Sequence, residues 1–389
     1  MKIALVHDWV VTKGGAEKCL EIFHALYPEA PLYTLLYDPE TVKELGFAEN
    51  QVFASSLHHK RGITKRYRRY LPFFPYAIEQ LDLSEAEVIL SSSHCVAKGV
   101  LTRGDQLHIC YCHTPVRYGW DLTFRYLEEN RLQKGIKSFA ARLILHYLRM
   151  WDMSSANRVD YFIANSHYTA NRIWRTYRRE ATVIYPPVDV NKFKLSNERG
   201  DYFLFVSRLV AYKKADLVIK AFSDMGLPLI VVGDGPQMEV CKRLAAANVK
   251  IMGRQDGDQV VSLMSQARAL VFAADEDFGI VPVEAQACGT PVIAFGQGGV
   301  TETVIPANGE NWEAASGIFF YEQSQESLKK AVNQFMAWED CFKPQVIRQN
   351  AERFSAERFR QEIADFIKEK QLEWQKGPNK LPAAQFPEI

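Results

Sequence analysis

Residues 269–295, ALVFAADEDFGIVPVEAQACGTPVIAF, constrain the fold of this chain more than any other stretch. Ala269 to Ala273 is a short apolar run of the length of a buried parallel strand, whereas Val281 to Cys288 carries Glu, Ala and Gln and reads as a helix. An acidic, glycine-containing turn joins them. Pro282 suits the first helical position, because its fixed φ matches a helix and its missing N–H would be unpaired there, and Gly289 suits a left-handed stop. The backbone amides of Phe278, Gly279 and Ile280 are then expected to point out of a helix N-terminus at the carboxyl edge of a sheet, where free donors and the positive end of the dipole favour an anion. Glu276 and Glu284 bracket the turn, and as ionised acceptors they suit the paired hydroxyls of sugars at opposite ends of one long ligand.

The same alternation recurs along the chain and predicts an α/β protein built from doubly wound sheets. Apolar runs at Lys2–Val6, Glu87–Ser91, Leu107–Tyr111, Tyr161–Ala164 and Val183–Tyr185 read as strands of a first sheet. Runs at Asp201–Val206, Leu227–Val232 and Lys250–Met252 read as strands of a second, and 389 residues are long for a single core. The prolines of Tyr185-Pro186-Pro187-Val188 can continue neither a helix nor a central strand, so the crossing between domains is expected at about residues 185 to 198. Several strand ends carry chemistry. Gly14-Gly15 opens the first helix and lets a ligand approach the backbone; His113, with Arg117 as a weaker candidate, follows the Leu107 strand; Arg208 and Lys213, five residues apart, can close on one anion. A second glycine loop, Gly296 to Glu302, ends the strand after the central helix.

EDFGIVPVE followed by AQACGTPVIA resembles the signature of the retaining glycosyltransferases of family 4, which have the GT-B fold: two Rossmann-like domains facing across a cleft. The resemblance implies that Glu276 contacts hydroxyls of a donor sugar, that Glu284 binds the nucleotide ribose, and that the amides of Phe278, Gly279 and Ile280 face the diphosphate. It puts Arg208 and Lys213 on that diphosphate, the main chain of Gly253 and Arg254 on the base, and Gly14 and Gly15 near phosphates and acceptor. The Cys112-His113-Thr114-Pro115 turn is similar to one branch of the family that makes bacterial polysaccharides, where the His lies against the donor sugar. Lys214 departs from the pattern, since many members have Gly there. The implied domains are 1–187 on the acceptor side and 188–370 for the nucleotide sugar, with 371–389 as a helix end and tail returning to the first. The implied reaction moves a hexose from a UDP-hexose or GDP-mannose to a saccharide or lipid-linked saccharide, without a cofactor.

Overall charge is +1, but residues 51–179 hold about 20 Lys and Arg against about 10 Asp and Glu, so an acidic partner should meet the first half. Residues 58–81 gather six cations beside Tyr67, Tyr70, Phe73, Phe74 and Tyr76, a composition suited to an anionic membrane surface; nucleic acid is not expected as a partner. The apolar positions Ile136, Phe139, Ala140, Leu143, Ile144, Tyr147, Leu148 and Trp151 fall at helical spacing and are expected to face the core. Seven scattered cysteines without CxxC spacing read as reduced thiols of a cytoplasmic protein, peripheral to the inner membrane face at most. Neither Cys110-Cys112-His113 nor Asp275-Glu276-Asp277 makes a convincing metal site, and Arg and Lys beside the phosphates make a metal unnecessary. The absence of GxGxxG argues against a nicotinamide enzyme. A sugar-nucleotide epimerase or hydrolase of the same architecture, and a non-catalytic basic membrane-surface module, are the competing expectations.

Overall fold

A computed structural model describes residues 2–129 and 132–376. The chain divides into two units, Met1–Pro186 together with the segment from Phe359, and Pro187–Arg358. The first break falls within the proline pair. The second comes earlier than the sequence suggested, at 358 rather than 370, because the final helix, Ala356–Lys376, already has its apolar face committed. Phe359, Ile363, Phe366 and Ile367 are buried, and the Phe359 ring lies 5.9 Å from Phe23 and 5.6 Å from Tyr111. The tail expected from Gly377 lies outside the described residues.

The first unit is built on a parallel sheet of β1 (Ile3–His7), β2 (Leu32–Thr34), β3 (Val52–Ala54), β4 (Val88–Ser93), β5 (Leu107–Cys112), β6 (Tyr161–Ala164) and β7 (Ala181–Val183). Their spatial order is β3-β2-β1-β4-β5-β6-β7, so the winding reverses between β1 and β4. Every residue of β1, β4 and β5 is buried, as expected of parallel strands covered on both faces, and this is why they read as continuous runs rather than alternating ones.

His108 is a polar residue inside that interior. One ring nitrogen lies 2.8 Å from Ser91 Oγ and the other 3.0 Å from the Arg158 carbonyl, so the neutral ring is fully paired. Burial depresses its pKa from 6.5 to about 4. The unfolded chain therefore takes up this proton near pH 6.5 while the folded chain resists until about pH 4. Stability from this residue is complete above pH 6.5 and falls by about 3 kcal/mol as pH drops to 4. Urea midpoints at neutral and acidic pH should show a smaller acid loss in His108→Asn than in the wild type; equal losses would remove His108 from the account.

The second unit has a parallel sheet of β8 (Phe203–Val206), β9 (Leu229–Val232), β10 (Val249–Gly253), β11 (Leu270–Phe272), β12 (Val292–Phe295) and β13 (Gly317–Phe320), in the order β10-β9-β8-β11-β12-β13. Here the reversal lies between β8 and β11. Phe203, Val231, Val271 and Ile293 join Phe222 and Phe335 of two covering helices in one buried cluster. Local rules agree with the architecture: Asp256 and Ser324 accept the N–H of Gln259 and Ser327 as side-chain caps of the helices they precede.

One expected core face is buried only in part: Leu148 lies inward, and Ile144 and Trp151 are partly covered. Helix Ile136–Ser155 buries Ser138, Leu145, Leu148, Asp152 and Ser155, while Ile136, Phe139, Leu143 and Tyr147 of the anticipated core stripe are exposed. Its rotation follows Asp152, whose carboxylate receives the buried Lys98 ammonium, Trp120 Nε1 at 2.7 Å and Tyr177 OH at 2.9 Å. Satisfying a buried ion pair outweighs covering an apolar stripe, because an unpaired charge inside costs more than an exposed side chain.

Candidate functional site

In open α/β sheets ligands bind beyond the carboxyl ends of strands where the winding reverses. In the second unit that point lies after β8 and β11, and the expected residues sit there. Arg208 follows β8 and is exposed; Lys213 closes a short 3-10 turn, Ala211–Lys213, and is half-buried. Lys213 Nζ pairs with Glu276 Oε1 of the turn after β11, with side chains only 14% and 21% exposed. The structure thus joins directly two residues that the sequence assigned to different parts of a ligand. Lys214 adopts φ +59, a left-handed conformation that favours glycine and costs a lysine of order 1 kcal/mol, which accounts for the glycine that the resemblance would place there.

The turn is locked from two sides. Phe278 is buried with its ring 5.5 Å from Phe354, and the second glycine loop closes on the backbone. Gly299 N–H donates to the Glu276 carbonyl at 2.8 Å, and a Cβ at Gly299 would lie 2.2 Å from the Asp277 carbonyl, so only glycine permits the approach. The helix that follows is Ile280–Ala287, with Gly279 as its N-cap. Pro282 is therefore the third helical residue rather than the first, and Glu284 opens the second turn rather than lying in the first; the glycine cap admits the helix earlier than the proline suggested. Pro282 still sits where an N–H has no intrahelical acceptor. The amides of Gly279 and Ile280 occupy the cap and first positions, which also lack one. At the other end Gly289, at φ +77, donates to Gln286 O while Thr290 donates to Ala285 O, the paired bonds of a Schellman stop. Gln286 is fully buried; it donates to the Pro282 and Thr303 carbonyls and accepts from Asn350 at 2.6 Å, fixing the helix that carries Glu284. Gly253 ends β10 at φ +71, its carbonyl accepting from Gly233 N–H, and Arg254 beside it is exposed.

In the first unit the reversal lies between β1 and β4, and the strand ends there carry a cluster the sequence only partly announced. His113, after β5, has Nε2 2.8 Å from Ser92 Oγ, and its carbonyl is held by Asn165 Nδ2 at 2.9 Å. Burial, then the neighbouring His94 and His7, depress its pKa well below the ordinary value, so the ring is neutral at physiological pH. Asp8 is fully buried and accepts four backbone N–H groups, from His94, Cys95, Val96 and Ala97, at 2.5 to 2.9 Å. His7 lies 3.6 Å from Glu17, whose second oxygen accepts Gly14 N–H at 2.9 Å. Burial alone would raise Glu17; the imidazoles of His7 and His94 beside it outweigh that and hold it below the usual range. Gly14 is the N-cap and Gly15 the first residue of helix Gly15–Leu26, and a Cβ at Gly14 would sit 3.0 Å from the Glu17 carboxylate. Asp8 and His94 escaped assignment because their partners are remote in sequence, whereas Glu17 pairs with the nearby Gly14 and was simply passed over; His7-Asp8 at a strand end was the available signal. Arg117 sits half-buried in the turn after β5. Cys110 and Cys112 are buried in an apolar cluster, and the bond to Cys110 followed by burial pushes the Cys112 thiol well above its usual value, which keeps it protonated rather than a thiolate ligand. Among the described residues no group of three His, Cys, Asp or Glu side chains is arranged to hold a metal.

Two family models match consecutive parts of the chain: "Glycosyltransferase Family 4" over residues 34–192 and "Glycosyl transferases group 1" over residues 189–354. With two doubly wound units and these two matches, the chain belongs to the family 4 type of GT-B glycosyltransferases. An uncharacterized glycosyltransferase of Methanocaldococcus jannaschii is 32% identical over 203 residues, covering 50% of this chain and 54% of the relative. A GDP-mannose-dependent monoacylated alpha-(1-6)-phosphatidylinositol monomannoside mannosyltransferase of Corynebacterium glutamicum is 38% identical over 119 residues, covering 26% of this chain and 31% of the relative. These matches span about half or less of the curated relatives' length. In structure, HepE of Anabaena in complex with UDP has a TM-score of 0.68 at 19% identity, covering 95% of this chain and all of that one. Sucrose-phosphate synthase of Thermosynechococcus elongatus has 0.69 at 16%, covering 96% of this chain and likewise all of that one. At such identities the likeness is one of fold.

Proposed function

We propose that this protein transfers a hexose, with retention of anomeric configuration, from a nucleoside diphosphate sugar to a saccharide or lipid-linked saccharide in the building of a bacterial polysaccharide. The observation that carries this reading is the meeting of Arg208, Lys213, Glu276 and the Gly279–Ile280 helix N-terminus at the strand-order reversal of the second unit. Arg208, Lys213 and the turn amides of Phe278, Gly279 and Ile280 would take the diphosphate as negative charge develops on it. Glu276 and Glu284 would hold hydroxyls of the sugar and the ribose, and the main chain of Gly253 and Arg254 the base. His113, neutral and bonded to Ser92, is suited to hydrogen bonding a sugar hydroxyl rather than to acting as an acid. Gly14 and Gly15 would lie toward phosphates and acceptor.

No metal takes part in this reading, since fixed cations supply the charge a metal would otherwise bring. The reaction is expected at the inner face of a membrane when the acceptor is lipid-linked, where the cations of residues 58–81 suit anionic headgroups. The relatives favour different bases: HepE is described in complex with UDP-glucose, the Corynebacterium mannosyltransferase as GDP-mannose-dependent. Titration calorimetry of the purified protein against UDP, GDP and dTDP, each with and without EDTA, is expected to show one base bound at least tenfold more tightly than the others and unaffected by chelation. No binding of any of the three would end the proposal. Hydrolysis of the matching sugar nucleotide at full rate without an acceptor would instead make the protein a hydrolase.

A further inference from the structure

We propose that helix Ile136–Ser155 and the cationic segment 58–81 form a single surface that docks on an anionic lipid bilayer, the helix lying in the headgroup plane with its apolar stripe inserted. The helix has two faces with different fates. Leu145, Leu148 and Asp152 point inward, while Ile136, Phe139, Leu143, Tyr147 and Met150 form a continuous row along the outer side. Those five are spaced by three or four residues and share one face, and Ile136, Phe139 and Leu143 are 89%, 65% and 53% exposed. Isolated apolar side chains on a surface need no explanation, but a row that runs most of the length of a 20-residue helix does.

Charge selects the occupant. Lys134, just before the helix, and Lys137 and Arg142 on it are exposed, and Lys60, Arg61, Lys65, Arg66, Arg68 and Arg69 are all exposed in the neighbouring segment. The two acids within these stretches are engaged internally: Asp152 with Lys98, and Glu79 with Arg158 at 2.6 Å and Trp151 Nε1 at 2.8 Å. The two segments pack together, since Leu71 joins the cluster of Leu127, Leu145 and Leu148 and Trp151 joins that of Tyr67 and Tyr70. Phe73 and Tyr76 add exposed rings to the cationic side. Cations around an apolar helical stripe match the interface of an anionic bilayer, whereas a second copy of the same surface would set like charges against each other. Among the described residues no helix is long and apolar enough to cross a membrane, so docking is confined to one leaflet.

The test uses the full chain and does not depend on the transfer reaction, so its failure would leave the glycosyltransferase reading intact. Sedimentation with vesicles of phosphatidylcholine alone, and with phosphatidylglycerol added, is expected to show binding to the anionic vesicles that weakens at high salt. Arg68→Gln with Arg69→Gln should weaken it by roughly thirtyfold, and Ile136→Asp, Phe139→Asp and Leu143→Asp together by at least about tenfold. Because all five side chains are exposed, the thermal midpoint should hold, and circular dichroism checks that it does. Absence of vesicle binding overturns the proposal, as does binding that the aspartate variant leaves unchanged. A dimer in light scattering that the aspartate variant dissociates, with vesicle binding untouched, would assign the stripe to a second copy of the chain.

Discussion

Arg208→Ala is expected to lower turnover of the matching sugar nucleotide by about 100- to 1,000-fold, the loss typical of removing one preorganised donor from a developing anion. The side chain is exposed after β8 and the fold around it rests on other residues, so the thermal midpoint should be unchanged. The drop should appear in kcat more than in KM, because on the proposed reading Arg208 would meet a charge that grows as the diphosphate departs. Lys213→Ala should differ in kind. It removes a cation from the same anion and also leaves Glu276 without its partner, so both kcat and KM should worsen. Full activity in Arg208→Ala, measured by steady-state kinetics with donor and acceptor varied, would remove the diphosphate from this site.

Asp152→Ala should cost stability rather than chemistry, by about 3 to 5 kcal/mol, since it leaves the Lys98 ammonium buried with no counter-charge. Trp120 Nε1 and Tyr177 OH lose their acceptor in the same step. Burial works to lower the Lys98 pKa, but the Asp152 charge and hydrogen bond overcome it and hold the amine above its usual value, so the amine is protonated at neutral pH. Replacing both members together, Lys98→Met with Asp152→Leu, should recover much of the loss, because two apolar groups of similar size owe nothing to solvent. Guanidinium unfolding of the single and double variants measures the difference; a double variant as unstable as Asp152→Ala would show that the loss lies in packing or in the unpaired Trp120 and Tyr177 donors instead.

Much of the second unit was legible. The Glu276 to Glu284 stretch announces strand, turn and helix by local rules, and Gly289 stops the helix as a glycine in that place should. Arg208 and Lys213 could be found because each stands immediately after an apolar run. The first unit was harder. Strands β2 and β3 went unrecognised there, as did β13 in the second unit, since three or four residues do not establish a period. Pro282 misplaced the helix start by two residues, a proline being tolerated throughout the first turn and not only at its first position. Asp8 carries no local sign that four amides nearly ninety positions away will converge on it.

The sequence by itself determined most strands of the second unit, the glycine stop of its central helix, and which cations and acids stand at strand ends, because all of these depend on residues within one or two turns of each other. Only the tertiary structure decided the pairing of Lys213 with Glu276, the gathering of His7, Asp8, Glu17, His94 and His113 at one sheet edge, and the side of helix Ile136–Ser155 that faces water. Those outcomes turn on strand order and on where a buried charge finds its partner. Hydrophobic periodicity marks an apolar face but cannot say what will cover it, and here the helix that carries Asp152 to Lys98 leaves Ile136, Phe139, Leu143 and Tyr147 facing out.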